Sequence, residues 1–228
     1  MKIWLRKQLF NGVLWLSNKV ASRPTKEGVF KGLDKVFEGI KNGKESKGII
    51  VPFDILKDRF IIFSDQHKGA KNGADDFMLC EPNYLVALEH YYQNNFQFIA
   101  LGDCEELWEN NLASVLKNQQ PSFEKYKAFI ALNRFYKTIG NHDLDWTNDP
   151  LTMAQIKDIF GESLPIYEGV LLQTTINGLP LNILCTHGHQ GDRASDGNWF
   201  SKFFVSKIWA PLQMWLKINP NTPATIRN

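Results

Sequence analysis

Four apolar runs in this chain each stop at a short polar cluster: Asp65-Gln66-His67, Gly102-Asp103, Gly140-Asn141-His142-Asp143 and Thr186-His187-Gly188-His189. Of the five histidines, only His90 lies outside these clusters. Aspartate, asparagine and histidine side chains hold borderline-hard divalent cations. Residues just past the carboxyl end of a strand point into the crevice where α/β proteins bind ligands. The ordered series therefore predicts strands that deliver ligands to one cation site, in the manner of a two-metal hydrolase.

The 228 residues, 43% hydrophobic, suffice for one well-buried core. Net charge is +2 but unevenly placed: residues 1–50 carry 11 Lys/Arg against 4 Asp/Glu, residues 51–198 carry 11 against 20, and residues 199–228 carry 4 against none. An acidic centre between basic flanks suits cation binding in the middle and anionic surfaces at the ends. The basic residues form no long run, so nucleic acid is not an expected partner. Three cysteines, Cys80, Cys104 and Cys185, with no CxxC pair, indicate neither a disulfide framework nor a zinc ribbon. Cys104 and Cys185 adjoin the clusters and read as small buried spacers. The apolar run Val13–Leu16 is too short for a signal core, and no window reaches the length of a membrane span.

Periodicity predicts amphipathic helices over residues 2–21 and 27–41, then a polar, glycine-containing loop over 41–48. Strands are expected at Arg59–Ser64, Gln97–Leu101 and Phe135–Ile139, with helices at Asn83–Asn94 and Phe123–Leu132 between them. Val170–Ile176 and Leu181–Cys185 flank Asn177-Gly178, a favoured hairpin turn. The division that follows is a basic amphipathic helical segment over 1–48, an α/β core over 49–198 and an aromatic-rich helical cap or insertion over 199–228. His90, in a helical pattern beside Tyr91 and Tyr92, reads as a surface or core residue.

The series Asp-x-His, Gly-Asp, Gly-Asn-His-Asp and strand-end His resembles the calcineurin-like metallophosphoesterase superfamily over roughly Arg59 to Asp192. The resemblance implies a four-layer α/β/β/α sandwich and a dinuclear centre of Mn, Fe, Zn or Co. Asp65 and His67 would bind the first ion, Asp103 would bridge both, and Asn141 with His187 would bind the second. His142 would face the scissile phosphate and assist the leaving oxygen, with Asp143 orienting it. Attack by metal-bound hydroxide on a phosphoester is the implied reaction. Gly102-Asp103-Cys104-Glu105-Glu106-Leu107-Trp108 further resembles the Gly-Asp-x-x-(Asp/Glu)-x-Trp pattern of the bacterial UDP-2,3-diacylglucosamine pyrophosphohydrolase branch. That branch commonly has arginine where His142 stands, so the implied substrate stays general: a small or lipid-linked phosphoester.

The family's fifth motif, Gly-His-x-His, is absent from this chain, and Asn219–Asn228 reads as the start of a loop, so a C-terminally incomplete sandwich is expected. His189 and Arg193 are candidate substrate-binding residues, Arg193 through its planar fork. Trp199, Phe200, Phe203, Phe204, Ile208, Trp209, Trp215 and Leu216, interleaved with Lys202, Lys207 and Lys217, form a second unusual segment. Residues 1–22 and 199–217 fit three uses: packing in a core, a dimer contact, or an interfacial surface on anionic lipid. Cytoplasmic residence is the default expectation, and the last use adds peripheral association with the inner leaflet. The rival reading is a degenerate, non-catalytic family member that binds membrane or a partner and holds one structural ion.

Overall fold

The computed structural model describes residues 24–191 apart from 73, 74, 149, 162 and 163. The helix expected over 2–21, the aromatic segment 199–217 and Arg193 lie outside the described residues. No helix among the described residues is long and apolar enough to cross a membrane.

Helix α1, Lys26–Lys41, starts at Thr25, whose hydroxyl accepts from the Gly28 N–H at 3.1 Å. Glu27 in the first turn and Lys41 in the last complement the helix dipole. Strand β1, Gly48–Pro52, then β2, Phe60–Phe63, precede α2, Glu81–Gln93, and β3, Gln97–Leu101. Helices α3, Leu112–Asn118, and α4, Gln120–Ile130, lead to β4, Phe135–Thr138. Helices α5, Asp145–Asn148, and α6, Pro150–Phe160, then lead to β5, Ile166–Tyr167. The hairpin of β6, Gly169–Ile176, and β7, Leu179–Cys185, closes the described chain.

The strands form two sheets, ordered β1-β6-β7 and β2-β3-β4-β5. The second is parallel throughout, whereas in the first β1 and β6 are parallel and β6 and β7 antiparallel, so the fold is mixed α/β. Strand alternation decides what each face buries. Ile99 of β3 joins Val51, Val170, Leu172 and Cys185 of the other sheet, so the two sheets face each other across that cluster. Phe98 and Ala100 point the opposite way, into a larger core with Tyr84 and Leu88 of α2 and Phe123, Tyr126 and Phe129 of α4. Phe98 is surrounded edge-on by Phe63, Tyr126, Phe129 and Phe135 at 5.2–6.0 Å, the favourable geometry for aromatic quadrupoles. On the far face of the first sheet, Val36 and Ile40 of α1 cover Leu171.

Several boundaries differ from expectation for local reasons. Helix α2 begins two residues before Asn83 because Pro82 fits a first turn, where its missing N–H is no loss. Helix α4 begins three residues before Phe123 for the same reason, with Pro121 in its first turn. Strand β7 starts at Leu179, directly after the two-residue turn, in which Asn177 and Gly178 have φ of 51° and 78°. Pro180 is accommodated because β7 is an edge strand. Strand β1 was hidden by its brevity and its terminal proline.

Beneath the carboxyl ends of β2, β3 and β4 lies a dry ionic cluster. Glu105 is fully buried; its Oε2 accepts from Lys137 Nζ at 2.6 Å and from Trp146 Nε1 at 2.8 Å, while Lys68 Nζ stands 3.3 Å from Oε1. Lys68 also donates to the Tyr126 hydroxyl at 2.7 Å, and Lys137 lies 3.7 Å from Asp143. Burial pushes the Glu105 carboxyl up, but Lys137 and Lys68 outweigh it and carry it down to about 2.

Removing one partner from such a pair leaves an uncompensated buried charge. Lys137→Met should therefore cost about 3–5 kcal/mol by urea titration at neutral pH. Because Glu105 titrates near 2 when folded against an ordinary value of 4.5, its stabilisation is complete above about pH 4.5 and disappears as pH falls toward 2. The acid limb of a stability-versus-pH curve should be shallower for Glu105→Gln than for the natural chain. An unchanged limb would mean that Glu105 is not the ion described.

Candidate metal centre

The loops after β2 and β3 are joined by backbone hydrogen bonds that extend the parallel ladder past the strand ends. Asp65 N–H donates to Gly102 O at 3.2 Å, His67 N–H to Asp103 O at 2.9 Å, and Lys68 N–H to Cys104 O at 3.0 Å. Within this ladder Asp65, His67 and Asp103 have φ of 55°, 48° and 49°. Left-handed backbone at three non-glycine residues costs on the order of 1–3 kcal/mol each and is held only where neighbours over-determine it. In this conformation Asp65 and Asp103 group with His187, and His67 stands between Asp103 and Glu106.

Glycine is required twice for that convergence. A Cβ on Gly102 would meet the His187 Cβ at 2.7 Å, and one on Gly140 would meet Asp103 Oδ1 at 2.1 Å. These two motif glycines are thus the gaps into which neighbouring ligands fit.

Asp103 is buried, and its two oxygens differ in use. Oδ1 accepts from the His142 backbone N–H at 2.8 Å. Oδ2 lies 3.3 Å from His187 Nε2 and 3.7 Å from His67 Nε2. His187 Nε2 is also 3.4 Å from Asp65 Oδ1. Donors on 2.1 Å arms at the tetrahedral angle stand about 3.4 Å apart, so the Asp103–His187 and Asp65–His187 separations are those of neighbouring donors in a cation site. Burial raises the Asp65 pKa, but the Ser64 hydroxyl and His187 more than reverse it, leaving an anionic donor.

A second group, His67, Glu106 and His142, adjoins the first. Glu106 Oε2 is 2.8 Å from Nδ1 of His67 and 2.8 Å from Nδ1 of His142. These are hydrogen-bond lengths, shorter than the spacing of two donors on one ion. Glu106 is therefore the acceptor that orients both imidazoles, leaving each Nε2 for other work. Burial pushes the Glu106 carboxyl up, but bonding from His142 and His67 lowers it to about 2. Burial likewise lowers the His67 pKa, and Glu106 with Asp103 reverses it to a net rise. Trp108 stacks on the His142 ring at 4.0 Å and 14°, and its indole N–H donates to Asn141 O at 2.8 Å. Burial, with Glu106 second, pushes Glu109 up to about 7, which places a carboxyl that titrates near neutrality beside this group.

The ligand candidates Asp65, His67, Asp103 and His187 are linked by close approaches, and the backbone carbonyl of Asn141 is held by Trp108. Asp143 has a different role from the one expected. It is fully buried, accepts from Gly140 N–H at 2.6 Å and Cys104 N–H at 3.0 Å, and holds the loop rather than the His142 ring. The ring's partner is Glu106, the acidic position of the Gly-Asp-x-x-(Asp/Glu)-x-Trp pattern, to which the sequence reading assigned no role. His189 is buried at 6% exposure, with Nδ1 3.3 Å from His187 Nδ1, and so faces a candidate ligand. His90 is exposed on α2. Burial pushes the Cys104 thiol up to about 12 and the Cys185 thiol up as well.

The loop carrying His187 is tied down from behind. Thr186 Oγ1 donates to Glu168 O at 3.0 Å, and Glu168 pairs with Lys47. Helix α1 closes on the same loop: a Cβ on Gly32 would stand 2.9 Å from the Gln190 carbonyl carbon and the Gly191 nitrogen.

Comparison with family models, with curated proteins and with solved structures found no match to this chain.

Gly140→Ala forces its methyl against Asp103 Oδ1 and should cost about 1–3 kcal/mol of stability as an overpacked site. It should also weaken divalent-cation binding by titration calorimetry. Natural affinity in a folded Gly140→Ala chain would contradict the placement of Asp103.

Proposed function

We propose that this chain is a metal-dependent phosphoester hydrolase of the calcineurin-like metallophosphoesterase type. The observation that carries the reading is the single oxygen Asp103 Oδ2, 3.3 Å from Nε2 of His187 and 3.7 Å from Nε2 of His67. One carboxylate within reach of two imidazoles from different loops fits the shared ligand of a cation pair. The succession of α1, the β1-β6-β7 sheet, the β2-β3-β4-β5 sheet and then α2 with α4 agrees with a four-layer sandwich.

The donors fit such ions chemically: carboxylates and imidazoles, with Asn141 alongside, suit Mn, Fe, Zn or Co. Asp65, His67 and Asp103 would hold one ion, and Asp103, Asn141 and His187 the other. Bound ions of this kind polarise a phosphoryl group and acidify a coordinated water near neutral pH. The chain's own residues supply the rest. Glu106 fixes His142 through Nδ1, and Trp108 fixes the plane of its ring, so Nε2 is presented to the departing oxygen. From there it can donate a proton to the leaving group. Asp143 keeps Gly140 against Asp103, preserving the gap that the bridging carboxylate needs.

The substrate class is a small or lipid-linked phosphoester, and the protein is cytoplasmic. Peripheral contact with the inner leaflet through residues 1–22 and 199–217 belongs to the same proposal. Liposome sedimentation with and without residues 1–22 tests that part, and equal pelleting would count against it.

With Mn2+ and an aryl phosphate mono- or diester, Asp103→Asn should abolish turnover and weaken cation binding. His142→Gln should lower kcat by about 10²–10⁴ while the bound metal stays. Glu106→Gln should fall in the same direction, and the double variant should lose less than the product of the two single effects. Cation binding without turnover in the natural chain would favour the non-catalytic reading instead. Full activity of Asp103→Asn would end the proposal.

A further inference from the structure

Two histidines one residue apart, His187 and His189, meet through like atoms. Nδ1 of one is 3.3 Å from Nδ1 of the other, while His187 Nε2 points to Asp65 Oδ1 and Asp103 Oδ2. This rests on the cation site proposed above. An imidazole that gives its Nε2 lone pair to a cation carries its hydrogen on Nδ1, and a metal-bound histidine nearly always donates that hydrogen to a neighbour. The atom placed to receive it here is His189 Nδ1. We infer that His189 is the positioning residue of His187: it accepts the Nδ1–H and so fixes the tautomer and ring plane that aim Nε2 at the two aspartates.

The surroundings of His189 agree with this role. At 6% exposure it is the more enclosed partner, as suits a support rather than a group that meets substrate. It lines a cavity of about 370 Å³ whose walls include Val36, Ile139 and Leu144 and also the charged Lys35, Lys47 and Glu168. The next residue, Gln190, accepts from Gly188 N–H at 3.1 Å through Oε1 and abuts Gly32 of α1. The backbone between the two histidines is thereby fixed, and Gly188, with φ of 96°, supplies the turn that folds one imidazole back on the other. A cation at Nε2 makes Nδ1–H more acidic, so the hydrogen bond to His189 strengthens when the site fills.

The test compares the full-length natural chain with His189→Ala, His189→Asn and Asp103→Asn by calorimetric titration with Mn2+. It adds long-range 1H–15N spectra of the histidine rings with Zn2+ bound. His189→Ala should lose about 10–100-fold in affinity, the usual effect of deleting such a partner. His189→Asn, whose Oδ1 can accept the same hydrogen, should recover most of that loss. The spectra should assign His187 as the Nδ1–H tautomer with a metal-bound Nε2, and His189 as a ring that carries no metal. If His189→Ala does not fold, as judged by circular dichroism, His189→Gln replaces it, its acceptor displaced by one bond. Natural affinity in His189→Ala, an Asn variant as weak as Ala, or a metal-shifted His189 nitrogen would each overturn the inference while leaving the cation site standing. A natural chain that binds no Mn2+, or an Asp103→Asn that binds it normally, would remove both.

Discussion

The arrangement depends on one buried acid, Glu105, held between Lys137 and Lys68 where no solvent reaches. Each of these residues is next to, or two or three residues from, a loop that carries a candidate ligand. Lys68 follows His67, Glu105 lies two residues after Asp103, and Lys137 is near the end of the strand that leads to Asn141. A buried ion pair is weak evidence for net stability, because desolvation offsets most of its Coulombic gain. What it supplies is intolerance of displacement: sliding any of the three strand ends would separate charges that have no water to turn to. The loops above inherit that register.

On this base the chain accepts backbone strain. Asp65, His67 and Asp103 sit in the left-handed region, and the ladder from Asp65 to Lys68 against Gly102 to Cys104 holds them there. A flexible loop would have to order itself around each arriving cation and lose affinity in doing so. Here the ordering is completed during folding and is offset by the hydrophobic core around Phe98. The same logic explains why glycine stands at 102 and 140: rigidity and close approach leave no room for a side chain at either.

The parts legible in the sequence were those with a period or a local turn. The apolar runs ending at Asp65, Asp103 and Asn141 identified β2, β3 and β4, and Asn177-Gly178 identified the hairpin. The ligand candidates were readable because aspartate and histidine recurring together after successive strands form a set that packing and capping alone seldom require. Lys68, Lys137 and Glu105 were not readable, since a lone charge in sequence looks solvated and only tertiary packing reveals that water is excluded. Glu106 stood at the acidic position of the Gly-Asp-x-x-(Asp/Glu)-x-Trp pattern, but its role was not readable. Two consecutive glutamates after Gly-Asp look alike on paper, but the alternation of extended backbone sends one down to the lysines and the other up to the imidazoles. Asp143 spends its carboxylate on the Gly140 and Cys104 N–H groups, so the His142 ring takes Glu106 as its partner, a pairing that adjacency in sequence does not reveal.

The sharing of Glu106 has a last consequence. Oε2 of Glu106 faces the Nδ1 atoms of both rings, with Oε1 also reaching His142, so one carboxylate is shared between them. A cation at His67 would alter the hydrogen bond that its ring offers Glu106, and through that carboxylate the one to His142.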